Sequence, residues 1–213
     1  MMQPFSLNLR KRAAIAGALC SSIAGLSGCT TTGTGGTAAA RATTTAPAPP
    51  QVTTVYLVRH AEKAALPAND PPLTPAGEAR ARALAAALRD AGVQAIITTQ
   101  LLRTRETARP LAELLHVMPE VVAAGGPSRE HAKAVAEAVR AHAGQTVLVV
   151  GHSNTVNQII EQLGGPKLPD ICDNAYANIF VVHLSSGGPT HLARADYGAR
   201  LAQPSAECPG MSP

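Results

Sequence analysis

The chain alternates short, continuous apolar runs with longer amphipathic stretches. Residues 53–59 form an apolar, β-branched run of the kind found in strands buried on both faces. Leu73-Thr74-Pro75 then offers a helix start, with Thr74 as N-cap and Pro75 as first helical residue. Ala76, Ala79, Ala83, Leu84, Ala87 and Leu88 predict its apolar stripe, and Gly92 its end. Residues 95–99 predict a second strand and 102–115 a second helix, which Pro110 would kink or split. A weaker strand at 117–122 is interrupted by Pro119, and Gly125-Gly126-Pro127-Ser128 turns the chain into a helix over 129–143. Residues 146–150 predict the next strand and 153–163 the next helix. Two late strands follow, 178–184 and 191–197, around Ser186-Gly187-Gly188.

Repeated strand–helix units predict a three-layer α/β/α sandwich with a mostly parallel central sheet. Ligands of such sheets bind outside the carboxyl ends of the strands. Two of the apolar runs end there in histidine, as Arg59-His60 and Gly151-His152, and Arg103 opens the helix after Thr98-Thr99.

The ends of the chain read differently. Arg10, Lys11 and Arg12 precede a short, uncharged Ala/Gly-rich stretch, too short for a comfortable membrane span. Leu26-Ser27-Gly28-Cys29 then resembles a bacterial lipobox. This divides the chain into a lipoprotein signal peptide (1–28), a Thr/Gly/Ala/Pro-rich disordered linker (29–51), one domain (52–203) and a tail (204–213). The alternative is an ordinary signal peptide with a chance Cys29. Thr30 is not an acidic retention signal, so the outer membrane facing the periplasm is favoured over the inner membrane. Thr32-Gly33-Thr34-Gly35-Gly36 lacks the strand and lysine of a phosphate loop and reads as linker.

Removing the leader changes the charge balance. Of 18 Lys and Arg, three lie in residues 1–28, which hold no acids; 15 then face 14 Asp and Glu. With no basic tract and few aromatics, a nucleic-acid surface is excluded. Cys20 leaves with the leader and Cys29 would carry lipid. Cys172 and Cys208 are left, an even pair in an exported chain, read as a disulfide with two free thiols as the alternative. No spacing of Cys, His and carboxylates looks like a metal-ligand set, so neither metal nor cofactor is expected.

Arg59, His60, Arg103 and His152 together suit a phosphate. Arginine supplies a planar fork that matches phosphate oxygens. A helix beginning at Ser153 would add N–H donors directly after His152. Neutral His60 could attack phosphorus in line, and His152 would be most useful as a cation.

Arg59-His60-Ala61-Glu62, Leu73-Thr74-Pro75-Ala76-Gly77, Arg103-Thr104-Arg105-Glu106-Thr107-Ala108 and Gly151-His152-Ser153 resemble, in order and spacing, the histidine phosphatase (phosphoglycerate mutase-like) superfamily. The resemblance covers roughly residues 53–165 and is to a small branch without large insertions. It implies a metal-independent phosphomonoesterase with His60 as phosphorylated nucleophile and Arg59, Arg103 and His152 completing the pocket. Three positions depart from the pattern: Ala61 where Gly is frequent, Lys63 where Thr or Ser is usual, and Leu66 near a frequent Asn.

The general acid stays open between Glu130, at a helix start, and Glu62, which could instead pair with Lys63 or a pocket arginine. His116, His131, His142, His183 and His191 read as structural or solvated, and Arg105 and Glu106 as an exposed helix face. The expected substrate is a phosphorylated small molecule or envelope glycan. The alternative function is a lipoprotein of the same fold that binds phosphorylated ligands without turnover.

Overall fold

A computed structural model describes residues 51–199. The signal peptide, Cys29, residues 29–50 of the expected linker and the tail with Cys208 lie outside the described residues. In chain order the elements are β1 (Val52–Arg59), α1 (Pro75–Leu88), β2 (Ala95–Thr98), α2 (Leu102–Leu115), β3 (Glu120–Val121), α3 (Ser128–Ala141), β4 (Thr146–Gly151), α4 (Val156–Gln162), β5 (Asn178–Ser185) and β6 (His191–Asp196). They form one six-stranded sheet of order β3-β2-β4-β1-β5-β6. β1 to β4 pair in parallel, and the β5–β6 hairpin continues the sheet antiparallel to β1. Among the described residues no helix is long and apolar enough to cross a membrane.

The continuous apolar runs are explained by two covered faces. Val55 and Leu57 of β1, Val147 and Val149 of β4, and Ala95 and Ile97 of β2 pack with Val135, Val139, Val156 and Ile160 of α3 and α4. The alternate residues Val58, Leu148, Val150 and Ile96 pack with Leu84, Leu88, Ala108 and Leu111 of α1 and α2. Side chains alternate across a strand, so a strand covered on both sides is apolar at every position.

Several elements differ from their sequence outline. α1 buries Gly77, Arg80, Ala81, Leu84, Ala85 and Leu88, so only Leu84 and Leu88 of the expected stripe face inward. Alanines all round the helix had hidden its orientation, and a buried arginine fixes it. Pro110 lies within an uninterrupted α2. The strand expected at 117–122 shrinks to Glu120–Val121 at the edge of the sheet, just after Pro119, which has no N–H for a ladder. α4 begins at Val156 rather than Ser153, because the Thr155 hydroxyl accepts the His152 N–H (3.0 Å) and residues 153–155 form a turn. The expected helix terminus directly after His152 is therefore displaced by three residues.

The start of α1 is built around Glu62. Thr74 caps the helix by accepting from Gly77 N (3.1 Å), while its own N–H donates to the Glu62 carbonyl (2.9 Å). A Cβ on Gly77 would collide with that same carbonyl oxygen. Gly77→Ala is therefore expected to destabilise the domain by about 1–3 kcal/mol. Urea unfolding measures the loss, and an unchanged midpoint would contradict the close approach.

Candidate active site

Strand register creates the site. Arg59 is aligned with Gly151 in the β1–β4 ladder, and His60 N donates to Gly151 O (2.9 Å). The next residues, His60 and His152, therefore leave the sheet side by side, with ring centroids 5.4 Å apart. Both are buried, as is Arg59.

His60 is held in one tautomer. Its Nδ1 lies 2.8 Å from the Ala61 carbonyl oxygen, which can only accept, so the proton is on Nδ1 and the Nε2 lone pair is free. Burial, then the charges of Arg59, His152 and Arg103, lower its pKa to about 3 against the opposing Ala61 bond. The imidazole is neutral at pH 7.

His152 departs from its expected state. Burial, followed by Arg103, His131 and Arg59, lowers its pKa to about 4, so in the free pocket it is neutral rather than cationic. Its Nε2 meets the Thr99 hydroxyl (3.3 Å), which in turn meets Thr104 Oγ1 (2.9 Å). The Thr104 hydroxyl donates to the Leu101 carbonyl (2.8 Å). These threonines orient the ring; their place at the end of β2 was readable, but their contact with His152 was not.

Both histidines have folded pKa values below the unfolded value near 6.5, so below that pH the unfolded chain binds more protons. The stability tied to their neutral forms is complete above about pH 6.5 and is lost as pH falls toward the folded values. Unfolding free energy is expected to drop by up to about 1.4 kcal/mol per pH unit per histidine across this window. Urea titrations at stepped pH, with His60→Ala for comparison, measure it. A flat profile between neutrality and pH 4 would contradict the assignment.

The two arginines carry unused donors. Arg59 Nη1 donates to the carbonyls of Cys172 (2.8 Å) and Asp173 (3.0 Å), and its guanidinium lies 4.3 Å from the Tyr176 ring centroid. Its Nε is buried without a hydrogen-bond partner, and so is that of Arg103. Burial pulls both guanidiniums below their ordinary pKa, against the raising effect of nearby groups including Asp173 at Arg59 and Asp70 at Arg103. Asp70 also accepts from Leu102 N (2.9 Å) at the start of α2 and lies 3.9 Å from Arg103. This cap comes from a loop 32 residues away and had no local signal. Thr107 ties the helix to β1 by accepting Ala61 N (2.9 Å) while donating to Arg103 O (2.7 Å). Ala61 itself is fully buried with Leu73 and Ala81, which accounts for a methyl where glycine is frequent.

The acid candidates separate. Both Glu62 oxygens accept from Arg80 (2.8–2.9 Å), and its charge also acts on Arg59 in the pocket. Glu130 is exposed on the first turn of α3. Its neighbour His131 is buried: Nδ1 donates to Ala123 O (3.1 Å) and Nε2 is buried with no partner. Glu106 is half-buried rather than exposed, and accepts Leu73 N (2.7 Å). Cys172 is buried and disulfide-bonded, while Cys208 lies outside the described residues. Among the described residues, no group of three or more His, Cys, Asp or Glu is placed to hold a metal ion.

Comparison with known proteins finds a partial family match and a shared fold. The family model for the histidine phosphatase superfamily (branch 1) matches residues 55–124. Among solved structures, the protein histidine phosphatase SixA in complex with tungstate is 20% identical with a TM-score of 0.55, covering 67% of this chain and 96% of that one. YhfR of Bacillus stearothermophilus is 21% identical (TM-score 0.52; 66% and 95% covered). A mycobacterial glucosyl-3-phosphoglycerate phosphatase is 15% identical (TM-score 0.51; 62% and 90% covered). No curated protein sequence matches at a significant level. The segment that matches the histidine phosphatase family model carries Arg59, His60 and Arg103, the fold delivers His152 beside them, and the solved structures share that fold.

Proposed function

We propose that the protein hydrolyses phosphomonoesters through a phosphohistidine at His60 and works at the cell envelope, tethered by lipid on Cys29. The observation that carries the catalytic reading is a pair of buried, unpartnered guanidinium Nε–H donors, on Arg59 and Arg103, beside an imidazole with a free lone pair. A buried unsatisfied donor costs free energy unless a ligand accepts its hydrogen bond, and two cationic donors call for an oxyanion. The tungstate bound to SixA is such a tetrahedral oxyanion.

In the forward step the His60 Nε2 lone pair attacks phosphorus as the ester P–O bond breaks, and the electron pair leaves on oxygen. Water then attacks phosphorus, the P–N bond breaks with its electron pair returning to His60, and the proton that water gives up balances the one taken up by the departing alkoxide. Arg59 and Arg103 hold the equatorial oxygens through both steps. A bound dianion also supplies the counter-charge that His152 lacks in the free site, so the cationic form belongs to the complex. With this charge met by side chains, the mechanism needs no metal or cofactor.

The envelope location is supported by the basic start, the short apolar stretch and Leu26-Ser27-Gly28-Cys29. It favours envelope sugar phosphates or other exported phosphomonoesters over cytosolic metabolites.

The deciding assay is hydrolysis of p-nitrophenyl phosphate and a sugar-phosphate panel with EDTA present. Turnover in EDTA is expected. Phosphate binding without any turnover would instead establish the non-catalytic binding protein. Cys29→Ser is expected to release the protein from membranes on fractionation, and unchanged retention would refute the lipid anchor.

A further inference from the structure

Arg59 belongs to β1, but its guanidinium is held by another part of the chain. Every polar or ring contact described for it comes from residues 172–176. These are the carbonyls of Cys172 and Asp173 on Nη1, the Asp173 carboxylate 3.6 Å from Nη2, and the Tyr176 ring 4.3 Å away. Tyr176 also stands 6.4 Å from the His60 ring. The Asp173 carboxylate is fully exposed, so its ion pair adds little. The carbonyl bonds and the ring fix the direction of the fork, and so leave Nε pointing free of protein partners.

This segment lies between α4 and β5 and has neither helix nor strand of its own. Ile171 and Ala175 pack it against the apolar cluster of β1, β4, α3 and α4. Ile171 N donates to Ser153 O (3.1 Å), Asn157 Nδ2 donates to Pro169 O, Ala175 N closes a turn on Cys172 O (2.9 Å), and Cys172 is disulfide-bonded. The disulfide therefore sits on the same residue whose carbonyl grips the arginine.

We propose that residues 172–176 are the positioning element for Arg59, with Tyr176 as its ring support, and that the Cys172 disulfide makes the phosphate affinity of the site depend on redox state. The inference rests on Arg59 being a phosphate ligand. In the redox step a dithiol gives two electrons to the disulfide. A thiolate attacks sulfur, the protein S–S bond breaks, two protein thiols take up protons, and the dithiol becomes its own disulfide. The clamp then loses its covalent anchor, and Arg59 must be ordered by the ligand itself, which weakens binding.

The test compares the purified full chain before and after dithiothreitol, with Cys172 release followed by alkylation and mass spectrometry. The KM for p-nitrophenyl phosphate and the inhibition constant for inorganic phosphate are expected to rise about tenfold, the scale of weakening one charge-assisted hydrogen bond, with a much smaller change in kcat. Cys172→Ala should show the raised KM and no response to reductant. Tyr176→Leu should raise KM with the disulfide intact, while Tyr176→Phe, which keeps the ring, should match the parent protein.

Release of Cys172 with unchanged phosphate affinity would overturn the proposal. So would a Cys172 that alkylates fully without reductant, or a Tyr176→Leu protein equal to the parent. Calorimetric titration with inorganic phosphate reads the clamp independently of turnover. Loss of the His60 mechanism would therefore appear as activity surviving His60→Ala, not as a change in this titration.

Discussion

Replacing His60 by alanine is expected to lower kcat/KM for p-nitrophenyl phosphate by on the order of a thousandfold or more, while leaving the fold intact. The imidazole presents a free Nε2 lone pair beside the two unused arginine donors. Its removal takes away the attacking atom, not a contact that water could replace. Acid quenching of the parent enzyme with labelled substrate should trap an acid-labile, base-stable protein phosphate that His60→Ala lacks. His60→Asn sharpens the test, because its amide can still donate to the Ala61 carbonyl but has no nucleophilic nitrogen. Activity near the parent level in either variant would remove the phosphohistidine from the mechanism.

The second large effect is on stability. Arg80→Met is expected to cost about 3 kcal/mol, measured by urea unfolding, because it strands a largely desolvated carboxylate. Arg80 and Glu62 side chains are 3% and 14% exposed, and the guanidinium bonds to both Glu62 oxygens. It also donates to the carbonyls of Tyr197 (3.3 Å) and Ala199 (2.9 Å), joining the end of the described chain to the loop after His60. Glu62→Gln should likewise lose stability, with no selective loss on esters with poor leaving groups. A selective loss there would identify Glu62 as the general acid. An Arg80→Met protein as stable as the parent would show that the pair is not load-sharing in the fold.

The placing of Arg59, His60, Arg103 and His152 at one end of the sheet was legible because such residues are few and occupy special places. His60 and His152 stand at the ends of apolar strands, and the β1–β4 register turns that sequence pattern into proximity. Elements with strong local signals were also legible, as at Thr74-Pro75, where a cap and a proline mark the same boundary. What the sequence concealed were contacts whose chemistry is not local. Asp70 caps a helix from another loop, and Arg80 looks like a surface residue until Glu62 is placed beside it. The grip on Arg59 is the extreme case, because backbone carbonyls carry no residue identity to read. The start of α4 was misplaced for a related reason: Thr155 spends its hydroxyl on His152 N, and three residues turn before the helix begins.

β1 has β4 on one side and β5 on the other, and His60 N extends the ladder by one more bond. The separation of the two histidines is thus a matter of ladder alignment. Moving β1 by one residue against β4 would turn the side chains of β1 to the opposite faces and set apolar residues against the wrong helices. Intermediate separations have no supporting structure. Amide exchange near His60 is accordingly tied to the opening of the central sheet rather than to fraying at its rim. The spacing of the two imidazoles is then lost only when the sheet itself opens, so a damaged protein holds either the native pair or none.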